Sequence, residues 1–280
     1  MIDAHTALTG VLGYPVRHSL SPAMHNAAFR ALGLNWVYLA FEVAPDRLAQ
    51  AIAGMRGLGI RGLNLTIPHK EAVIPLLDGL TDAARHIGAV NTLFWDGERL
   101  IGDNTDAEGF LRALGEAGVN PAGQTVLVLG AGGAARAVVY ALRQQGCTVW
   151  LANRSRERAE ALADAFGCVG VLPLERDALA ECAAHTDGVV NSTSLGMEPH
   201  TDTMPPVPIE ALPAGAWVCD LVYRPLQTRL LEAASARGLK TIDGLGMLVH
   251  QGALAFERWT GSPAPLATLR HAAFTQISDR

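Results

Sequence analysis

The feature that most constrains the fold is an apolar strand that runs directly into a glycine-rich loop and then into a helix. Residues 125–129 form the apolar run, and the loop from Gly130 to Ala135 matches the pattern G-x-G-x-x-G/A. Gly130 permits a tight turn, Gly132 lets the backbone approach a pyrophosphate, and Ala135 lets the helix pack closely on the strand. The unpaired N–H groups at the start of that helix favour an anion. We therefore predict a dinucleotide site at this loop.

The segments after this loop extend the pattern. A strand is predicted over 148–152 and a helix over 156–166, so that the order β-loop-α-β-α forms one half of a doubly wound fold. Strands predicted at 188–191 and 217–221 continue the same sheet, and the proline-rich segment 199–213 is predicted to be a surface loop. Strand-length apolar runs alternate with helical segments along the whole chain, which favours an α/β protein with parallel strands.

The end of the strand over 148–152 discriminates between the two nicotinamide cofactors. An NAD site places an Asp or Glu there to accept a hydrogen bond from the ribose 2′-hydroxyl, whereas this chain reads Asn153-Arg-Ser-Arg-Glu-Arg158. Guanidinium groups pair with phosphate through charge-assisted hydrogen bonds. Arg154, Arg156 and Arg158 therefore favour NADP, which carries a 2′-phosphate. The alternative is that they form only the solvated start of a helix, although cations at that end oppose the helix dipole.

The first hundred residues are predicted to form a mixed sheet. Apolar runs and helix-start signals predict strands over 7–13, 36–41 and 63–66 and helices over 22–32 and 45–58. The dipeptide Asp96-Gly97 between two apolar runs predicts a hairpin, which adds an antiparallel corner. A length of 280 residues favours two domains, and the turn-forming residues at 118–123 indicate a link between them.

Composition and charge argue against several classes of protein. A net charge of −5 and a pI near 6.0 lack the basic excess that binding to a nucleic acid needs. Hydrophobic residues make up 49% of the chain, which argues against global disorder, and no run of apolar residues is long enough to predict a membrane span.

The cysteines and histidines form no recognisable motif. The scattered cysteines form no C-x-x-C pair, and the N-terminal segment has no long apolar stretch, so we expect a reducing, cytoplasmic location. The histidines form no H-E-x-x-H motif, and His18 and His25 are expected in a loop and on a helix surface, so no metal site is predicted.

Three polar clusters interrupt the hydrophobic pattern at predicted loop positions. They comprise residues 18–22, residues 64–70, and residues 91–92 together with 104–106. Each has an ordinary structural explanation, because Ser21-Pro22 and Asp106 are typical of helix starts and Lys70 is typical of a helix surface. Taken together, the hydroxyl and amide groups suit a polyhydroxylated ligand. Lys70 and Asp106 suit the proton transfer of an NADP-linked alcohol–ketone reaction.

Ordered motifs extend over nearly the whole chain. They are Gly13-Tyr-Pro-Val-Arg-His-Ser-Leu-Ser-Pro22, Asn64-Leu-Thr-Ile-Pro-His-Lys70, Gly88-Ala-Val-Asn-Thr92, Gly102-Asp-Asn-Thr-Asp106, Gly130-Ala-Gly-Gly-Ala-Ala-Arg136, Asn153-Arg-Ser155, and Asp243-Gly-Leu-Gly-Met247 with Gln251. In this set the chain resembles the shikimate dehydrogenase family. The resemblance implies a reversible, NADPH-dependent reduction of 3-dehydroshikimate to shikimate in the pathway to aromatic amino acids. Two departures are minor: Ser155 stands where threonine is common, and His69 stands where an aromatic residue is common.

The same resemblance implies roles for residues of the polar clusters. Ser19 and Ser21 would bind the substrate carboxylate, and Lys70 would be the proton donor and acceptor, with Asp106 as its partner. The substrate hydroxyl groups would be contacted by Thr66, Asn91, Asp106 and Gln251. Tyr223 matches a substrate-contacting tyrosine, with a half-buried core position as the alternative.

On the cofactor side, the resemblance implies a larger set of contacts. These residues are Asp82, Gly130, Ala131, Gly132, Gly133, Ala134, Asn153, Arg154, Ser155, Arg156, Glu157, Arg158, the loop 192–197, Leu221, Gly244 and Met247.

The resemblance further implies a two-domain α/β fold whose first domain is discontinuous in sequence. Residues 1–106 and 245–280 would form a mixed-sheet substrate-binding and catalytic domain, and residues 107–244 a Rossmann-type, doubly wound NADP-binding domain. The C-terminal helices would return to the first domain. The pattern agrees, because a fold that stopped at Ile242 would leave two amphipathic helices without a surface to bury.

The expected partners are a small-molecule substrate and NADP, with no nucleic acid and no membrane, and the chain is expected to be a monomer or a homodimer. Two alternatives stay open. One is a broader dehydrogenase that also accepts quinate. The other is a redox-sensing protein that binds NADP(H) without performing chemistry.

Overall fold

The structure is a computed structural model that describes residues 2–278, which fall into two compact units. The first unit contains the residues up to Gly109 together with those from Val249 onward, and the second unit runs from Phe110 to Leu248. The chain leaves the first unit within helix α5 (Asp106–Glu116) and returns to it within helix α10 (Gly244–Thr260). The first unit is therefore discontinuous in sequence. The division of substrate and cofactor binding between the two units stays a prediction.

The first unit is built on a six-stranded mixed sheet. Its strands are β1 (Ala7–Gly13), β2 (Trp36–Glu42), β3 (Gly62–Leu65), β4 (Gly79–Leu80), β5 (Thr92–Asp96) and β6 (Arg99–Asp103), in the spatial order β2-β1-β3-β5-β6-β4. β1 runs parallel to β2 and β3, whereas β5 runs antiparallel to both β3 and β6. Gly97 turns the chain between β5 and β6 with a φ of 60°, a conformation that favours glycine. The predicted mixed sheet with an antiparallel corner is confirmed.

Helices pack around this sheet. They are α1 (Ser21–Ala31), α2 (Leu48–Gly57), α3 (His69–Ala72), α4 (Asp82–Ile87) and α11 (Leu266–Ser278), with a 3-10 turn at Pro45–Arg47 before α2. Ile52 and Met55 of α2 pack with Leu63 and Leu65 of β3 in the core of the unit. Helix α11 packs against α1, so the C-terminal helices return to the first unit as predicted. This packing covers apolar faces that would otherwise contact water.

The second unit is built on a six-stranded sheet in which every strand is parallel to its neighbours. Its strands are β7 (Thr125–Leu129), β8 (Thr148–Asn153), β9 (Gly170–Pro173), β10 (Gly188–Asn191), β11 (Trp217–Asp220) and β12 (Lys240–Ile242), in the spatial order β12-β11-β10-β7-β8-β9. Besides parts of α5 and α10, the unit contains the helices α6 (Gly133–Gln144), α7 (Arg156–Phe166), α8 (Arg176–Ala184) and α9 (Arg229–Ala236). This is the doubly wound order of dinucleotide-binding proteins, which bind ligands at the carboxyl ends of the strands where the order reverses. Here the reversal lies between β7 and β10. The predicted Rossmann-type fold is confirmed.

Two loop predictions are wrong. The segment 199–213 is not a simple surface loop, because Val207, Ile209 and Leu212 are buried in the core of the second unit. The turn-rich segment 118–123 lies inside the second unit instead of linking two domains. In both cases the prolines and glycines mark the local turns correctly, but the local pattern contains no information on which distant side chains cover them.

The prediction that His25 lies on a helix surface is also wrong. Its side chain is fully buried in α1, stacked on the Tyr38 ring with a centroid distance of 4.4 Å and close to the Trp259 ring at 5.4 Å. Burial lowers the pKa of His25 to about 3, so the ring is neutral near pH 7. His25 therefore belongs to an aromatic core.

Within residues 2–278, every helix falls short of the length and apolar character that crossing a membrane would require. Over the same residues, no group of three or more His, Cys, Asp or Glu side chains is arranged to hold a metal ion.

Candidate active site

The first unit brings Lys70 and Asp106 into direct contact. Lys70 lies in the short helix α3, and its Nζ donates to Oδ2 of Asp106, the first residue of α5, at 2.5 Å. The two side chains are 15% and 6% exposed, respectively. An ion pair that is shielded in this way interacts more strongly than a solvated pair, because less water screens it. The two residues therefore meet as the resemblance to the family implies, and their catalytic role stays a prediction.

A network of amide and hydroxyl groups fixes the loop that ends at Asp106. The Asp106 N–H donates to Oδ1 of Asn104 at 3.0 Å, and the Thr105 N–H donates to Oδ1 of Asn91 at 2.8 Å. Asn91 Nδ2 donates to the second carboxylate oxygen of Asp106, Oδ1, at 2.9 Å. Both carboxylate oxygens of Asp106 thus have a donor, one from Lys70 and one from Asn91. The carboxylate is held in one orientation.

Asn91 is held in turn by Asn64 and Tyr38. Asn64 Nδ2 donates to the backbone oxygen of Asn91 at 3.1 Å, and the Tyr38 hydroxyl donates to Oδ1 of Asn64 at 2.8 Å. Burial raises the pKa of Tyr38, so its phenol stays protonated and remains a donor. Asn64 belongs to a polar cluster that the sequence marks as a candidate site, whereas Tyr38 stands within a predicted strand and has no such signal. No local signal could have identified Tyr38, because its partner lies on a different strand.

The remaining predicted substrate contacts of the first unit lie on separate elements. Ser21 begins α1, its N–H donates to Oγ of Ser19 at 3.3 Å, and its hydroxyl interacts with Tyr38. Thr66 directly follows β3, and its N–H donates to the backbone oxygen of Leu12 at 2.9 Å. Gln251 of α10 accepts at Oε1 from Asn91 Nδ2 at 3.3 Å. The hydrogen bonds therefore connect Gln251 with Asn91, Asp106 and Lys70.

The glycine loop of the second unit has the form that its sequence predicts. Gly130 has a φ of 110°, and a Cβ placed on it would lie 2.5 Å from Oγ of Ser192. Ser192 donates to the backbone oxygen of Leu129 at 2.6 Å, so the loops after β7 and β10 touch where the strand order reverses. Gly132 caps the start of α6, and apart from Gly132 and its two chain neighbours no atom of residues 2–278 lies within 4 Å of a Cβ placed on it. This open space at a helix start fits the approach of a pyrophosphate.

The three arginines that follow β8 differ in their surroundings. Arg156 forms an ion pair with Glu160, with its Nε 2.7 Å from Oε1, on the surface of α7. Arg154 and Arg158 are exposed, and within residues 2–278 neither side chain has an ion-pair partner. Asn153 Nδ2 donates to the backbone oxygen of Ser155 at 2.8 Å and shapes the turn between the strand and α7. Two guanidinium groups therefore remain available to an anion at this edge of the sheet.

The second unit also contains the predicted cofactor residues Leu221, Gly244 and Met247 and the predicted substrate contact Tyr223. A Cβ placed on Gly244 would lie 2.3 Å from the backbone oxygen of Leu221, so only glycine fits at the start of α10. Met247 lies almost one turn further along α10 and is largely buried. Tyr223 is half-buried, and burial raises the pKa of its phenol.

Asp82, another predicted cofactor contact, belongs to the first unit. It is the first residue of α4, its side chain is 92% exposed, and the Nη1 atom of Arg85 lies 3.9 Å from its Oδ1. An acidic residue in the first turn also stabilises the helix through its dipole, which is a sufficient structural reason for an aspartate here.

Comparison with known proteins identifies the family along most of the chain. Residues 11–93 match the shikimate dehydrogenase substrate binding domain, residues 114–199 match shikimate / quinate 5-dehydrogenase, and residues 244–274 match the shikimate 5'-dehydrogenase C-terminal domain. A curated relative from Moorella thermoacetica, named Shikimate dehydrogenase (NADP(+)), is 51% identical over 274 residues, which cover 96% of this chain and 92% of the relative. The chain belongs to the shikimate dehydrogenase family.

Solved structures of the family share the whole fold. A shikimate dehydrogenase crystallised in complex with NADP+ aligns with a TM-score of 0.92 at 42% identity, covering 99% of this chain and 98% of the other. The enzyme from Thermus thermophilus, in complex with NADP(H) and shikimate, aligns with a TM-score of 0.88 at 45% identity, covering 96% of this chain and 99% of the other. The predicted family is confirmed, and with it the predicted enzyme class, an oxidoreductase.

The structure also contains a buried polar cluster around Asp220, which the sequence analysis did not identify. Asp220, at the end of β11, accepts hydrogen bonds from Asn191 Nδ2 at 2.9 Å, from the Val222 N–H at 3.0 Å and from the Thr228 hydroxyl at 2.7 Å. Asn191 Oδ1 in turn accepts from the Thr193 N–H at 3.0 Å. Asp220 therefore ties together the loops that follow β10 and β11. The signal in the sequence is a polar residue at the end of each apolar strand.

Burial raises the pKa of Asp220 to about 6, against an ordinary value of 3.8. A raised carboxyl pKa means that the folded state binds the proton more tightly than the unfolded state, so this stability is present at low pH and is lost as pH rises through about 6. Asp220→Asn carries no such charge. We expect its free energy of unfolding, relative to the wild type, to increase by about 2 kcal/mol between pH 4.5 and pH 7.5. Urea unfolding of both proteins at these pH values measures the difference, and a difference that is constant with pH would contradict the assignment.

Proposed function

We propose that the protein catalyses the reversible, NADPH-dependent reduction of 3-dehydroshikimate to shikimate in the biosynthesis of aromatic amino acids. Family membership and the name shared by the curated relatives support this reaction and its cofactor. The observation that carries the chemistry is the shielded Lys70–Asp106 ion pair, surrounded by amide and hydroxyl groups. We also propose that the protein acts in the cytoplasm, as a monomer or a homodimer. Residues 1–106 with 245–280 would bind the substrate, and residues 107–244 the cofactor.

In the proposed mechanism, Lys70 is the group that moves the proton. NADPH, when bound, supplies the hydride. As the ketone oxygen gains negative charge, the Lys70 ammonium donates a proton to it, and in the reverse direction the neutral amine accepts the proton of the alcohol. Asp106 orients the ammonium through its 2.5 Å contact and stabilises its charge. Asn91 donates to the other carboxylate oxygen of Asp106, Oδ1, and so fixes the orientation of the carboxylate. The ammonium of Lys70 is therefore oriented before the substrate binds.

The other polar residues of the first unit would bind and orient the substrate. Ser19 and Ser21 offer hydroxyl groups at the start of α1, where a carboxylate is also favoured by the helix dipole. The substrate hydroxyl groups would be held by Thr66, Asn91, Asp106 and Gln251, with Tyr223 as a further contact. Neutral donors and acceptors suit a polyhydroxylated ring, because each hydroxyl group both donates and accepts a hydrogen bond.

The cofactor would be held by the second unit, and the residues present there fit it. The open space at Gly132 and the start of α6 suit the pyrophosphate, and Arg154 and Arg158 suit the 2′-phosphate of NADP. The further contacts proposed in the second unit are Gly130, Ala131, Gly133, Ala134, Asn153, Ser155, Arg156, Glu157, the loop 192–197, Leu221, Gly244 and Met247. Asp82 is proposed as one contact from the first unit. Arg156 contributes least in this arrangement, since Glu160 already neutralises it.

A steady-state assay tests this function against its alternatives. The purified protein is supplied with NADPH and 3-dehydroshikimate, and the loss of NADPH absorbance is followed, while the reverse direction is measured with shikimate or quinate. We expect kcat/KM to be at least about tenfold higher for shikimate than for quinate, because an extra hydroxyl group must find a partner in the site. A preference for quinate with NAD would favour the broader dehydrogenase. NADPH binding without turnover of any of these substrates would favour a redox sensor.

A further inference from the structure

An ion pair outside the proposed substrate contacts joins α10 to the loop that carries Asp106. The Nη2 atom of Arg258 donates to Oδ2 of Asp103 at 2.7 Å, and the guanidinium lies over the Phe94 ring, 5.0 Å from its centroid. The other carboxylate oxygen of Asp103 accepts from the Thr81 hydroxyl at 2.6 Å and from the Asn104 N–H at 2.8 Å. The Asp103 side chain is only 6% exposed, so this carboxylate depends on its protein partners. Asp103 is therefore a fixed point at the start of the loop.

Helix α10 touches the same loop region at a second point, seven residues earlier. Gln251 and Arg258 are separated by two helical turns and therefore lie on one face of α10. Oε1 of Gln251 accepts from Asn91, and a Cβ placed on Gly109 of α5 would lie 2.8 Å from the Gln251 backbone nitrogen. The backbones of α5 and α10 thus approach closely at Gly109, within one turn of Asp106. One contact fixes a position, and two contacts along one helix fix its direction as well.

We propose that Arg258 and Asp103 are positioning residues for substrate recognition: their ion pair holds the turn of α10 that carries Gln251 against the loop 103–106. The inference rests on the proposed function, in which Gln251 and Asp106 contact hydroxyl groups of one substrate. Without the ion pair, the Asp103 carboxylate loses its cationic partner and the start of the loop 103–106 can shift relative to α10, which stays anchored by the Trp259 Nε1–H donating to the backbone oxygen of Leu93 at 2.9 Å. The Gln251 amide then moves relative to the Asp106 carboxylate. A displacement of about 1 Å is enough to weaken a positioned contact severely.

The first test replaces the arginine. In Arg258→Met we expect kcat/KM for 3-dehydroshikimate to fall about tenfold, while the Kd for NADPH changes less than about twofold, because Asp103 and Arg258 act on the substrate contacts only. Arg258→Lys keeps the charge and should restore most of the lost kcat/KM. The matched control is Arg56→Met, which removes an ion pair of the same unit with Asp78 at 2.9 Å and a guanidinium placed over the Trp95 ring at 5.8 Å. The control should keep the wild-type kcat/KM.

A double-mutant cycle separates positioning from general structural support. In a Gln251→Ala background the residue that is positioned has no amide, so adding Arg258→Met should cost less than about twofold in kcat/KM. Asp103→Asn keeps the shape of the side chain and should reproduce the loss of Arg258→Met, with no further loss in the double variant. Fully additive losses of Gln251→Ala and Arg258→Met would overturn the proposal, as would an Arg258→Met variant that behaves like the Arg56→Met control. Failure of the wild-type protein to reduce 3-dehydroshikimate would instead overturn the proposed function.

Discussion

Lys70→Met is expected to lower kcat by at least about a hundredfold while leaving the substrate affinity nearly unchanged. General acid–base catalysis of this kind contributes about 10²–10⁴ in rate, or roughly 3–5 kcal/mol of barrier. Methionine has a similar length to lysine and fills the same space, but it has no proton to donate. The substrate contacts proposed for Ser19, Ser21 and Gln251 do not involve the ammonium. The loss should therefore appear in kcat, measured by steady-state kinetics with 3-dehydroshikimate and NADPH.

Lys240→Met is the matched control for Lys70→Met, because Lys240 is the only other lysine in the chain. Lys240 lies in the second unit, where its Nζ donates to the backbone oxygens of Ala117 and Gly118 at 3.1 and 3.2 Å. Lys240→Met should keep the wild-type kcat, so that a comparison of the two variants isolates the position from the residue type. A Lys70→Met variant that retained most of the wild-type kcat would show that another group moves the proton.

The double variant Arg154→Ala, Arg158→Ala is expected to lower the ratio of kcat/KM for NADPH over NADH by about a hundredfold or more. Both side chains are exposed, so their loss costs little stability. Each charge-assisted contact to the 2′-phosphate contributes about 1.5–3 kcal/mol, and NADH has no phosphate at that position. The expected loss is therefore confined to NADPH. Steady-state kinetics with each cofactor, at saturating 3-dehydroshikimate, measures the ratio.

Arg156→Ala provides the matched control for the arginine pair. It removes a guanidinium from the same helix start, but one that is already paired with Glu160. We expect it to change the cofactor ratio by much less than the double variant. A wild-type preference for NADH, or an unchanged ratio in the double variant, would contradict the role assigned to Arg154 and Arg158. Equal effects of all three arginines would mean that the site responds to the total charge of this helix start and not to particular contacts.

Local patterns were sufficient for the predictions that depend on a few consecutive residues. The strand over 125–129, the glycine loop after it and the helix that follows lie where the sequence predicts them, because a tight turn, a strand period and a helix period are all set within about ten residues. The hairpin at Gly97 is likewise set by a few consecutive residues and lies where the sequence predicts it. The assignment of Lys70 and Asp106 to one site also came from sequence, but through resemblance to a family and not from the residues alone.

What the chain order could not show is how residues far apart in sequence share an environment. The 2.5 Å contact of Lys70 with Asp106 spans 36 positions and exists because β3, β5 and β6 are neighbours in one sheet. The pairing of β1 with both β2 and β3 brings Tyr38 next to Asn64, and the packing of α1 encloses His25 among aromatic rings. Short-range signals report the conformation of a segment, since turns and periods are local. The burial, the charge pairing and the pKa of a side chain depend on which distant segments surround it. Those contacts form only when the chain packs into its tertiary structure.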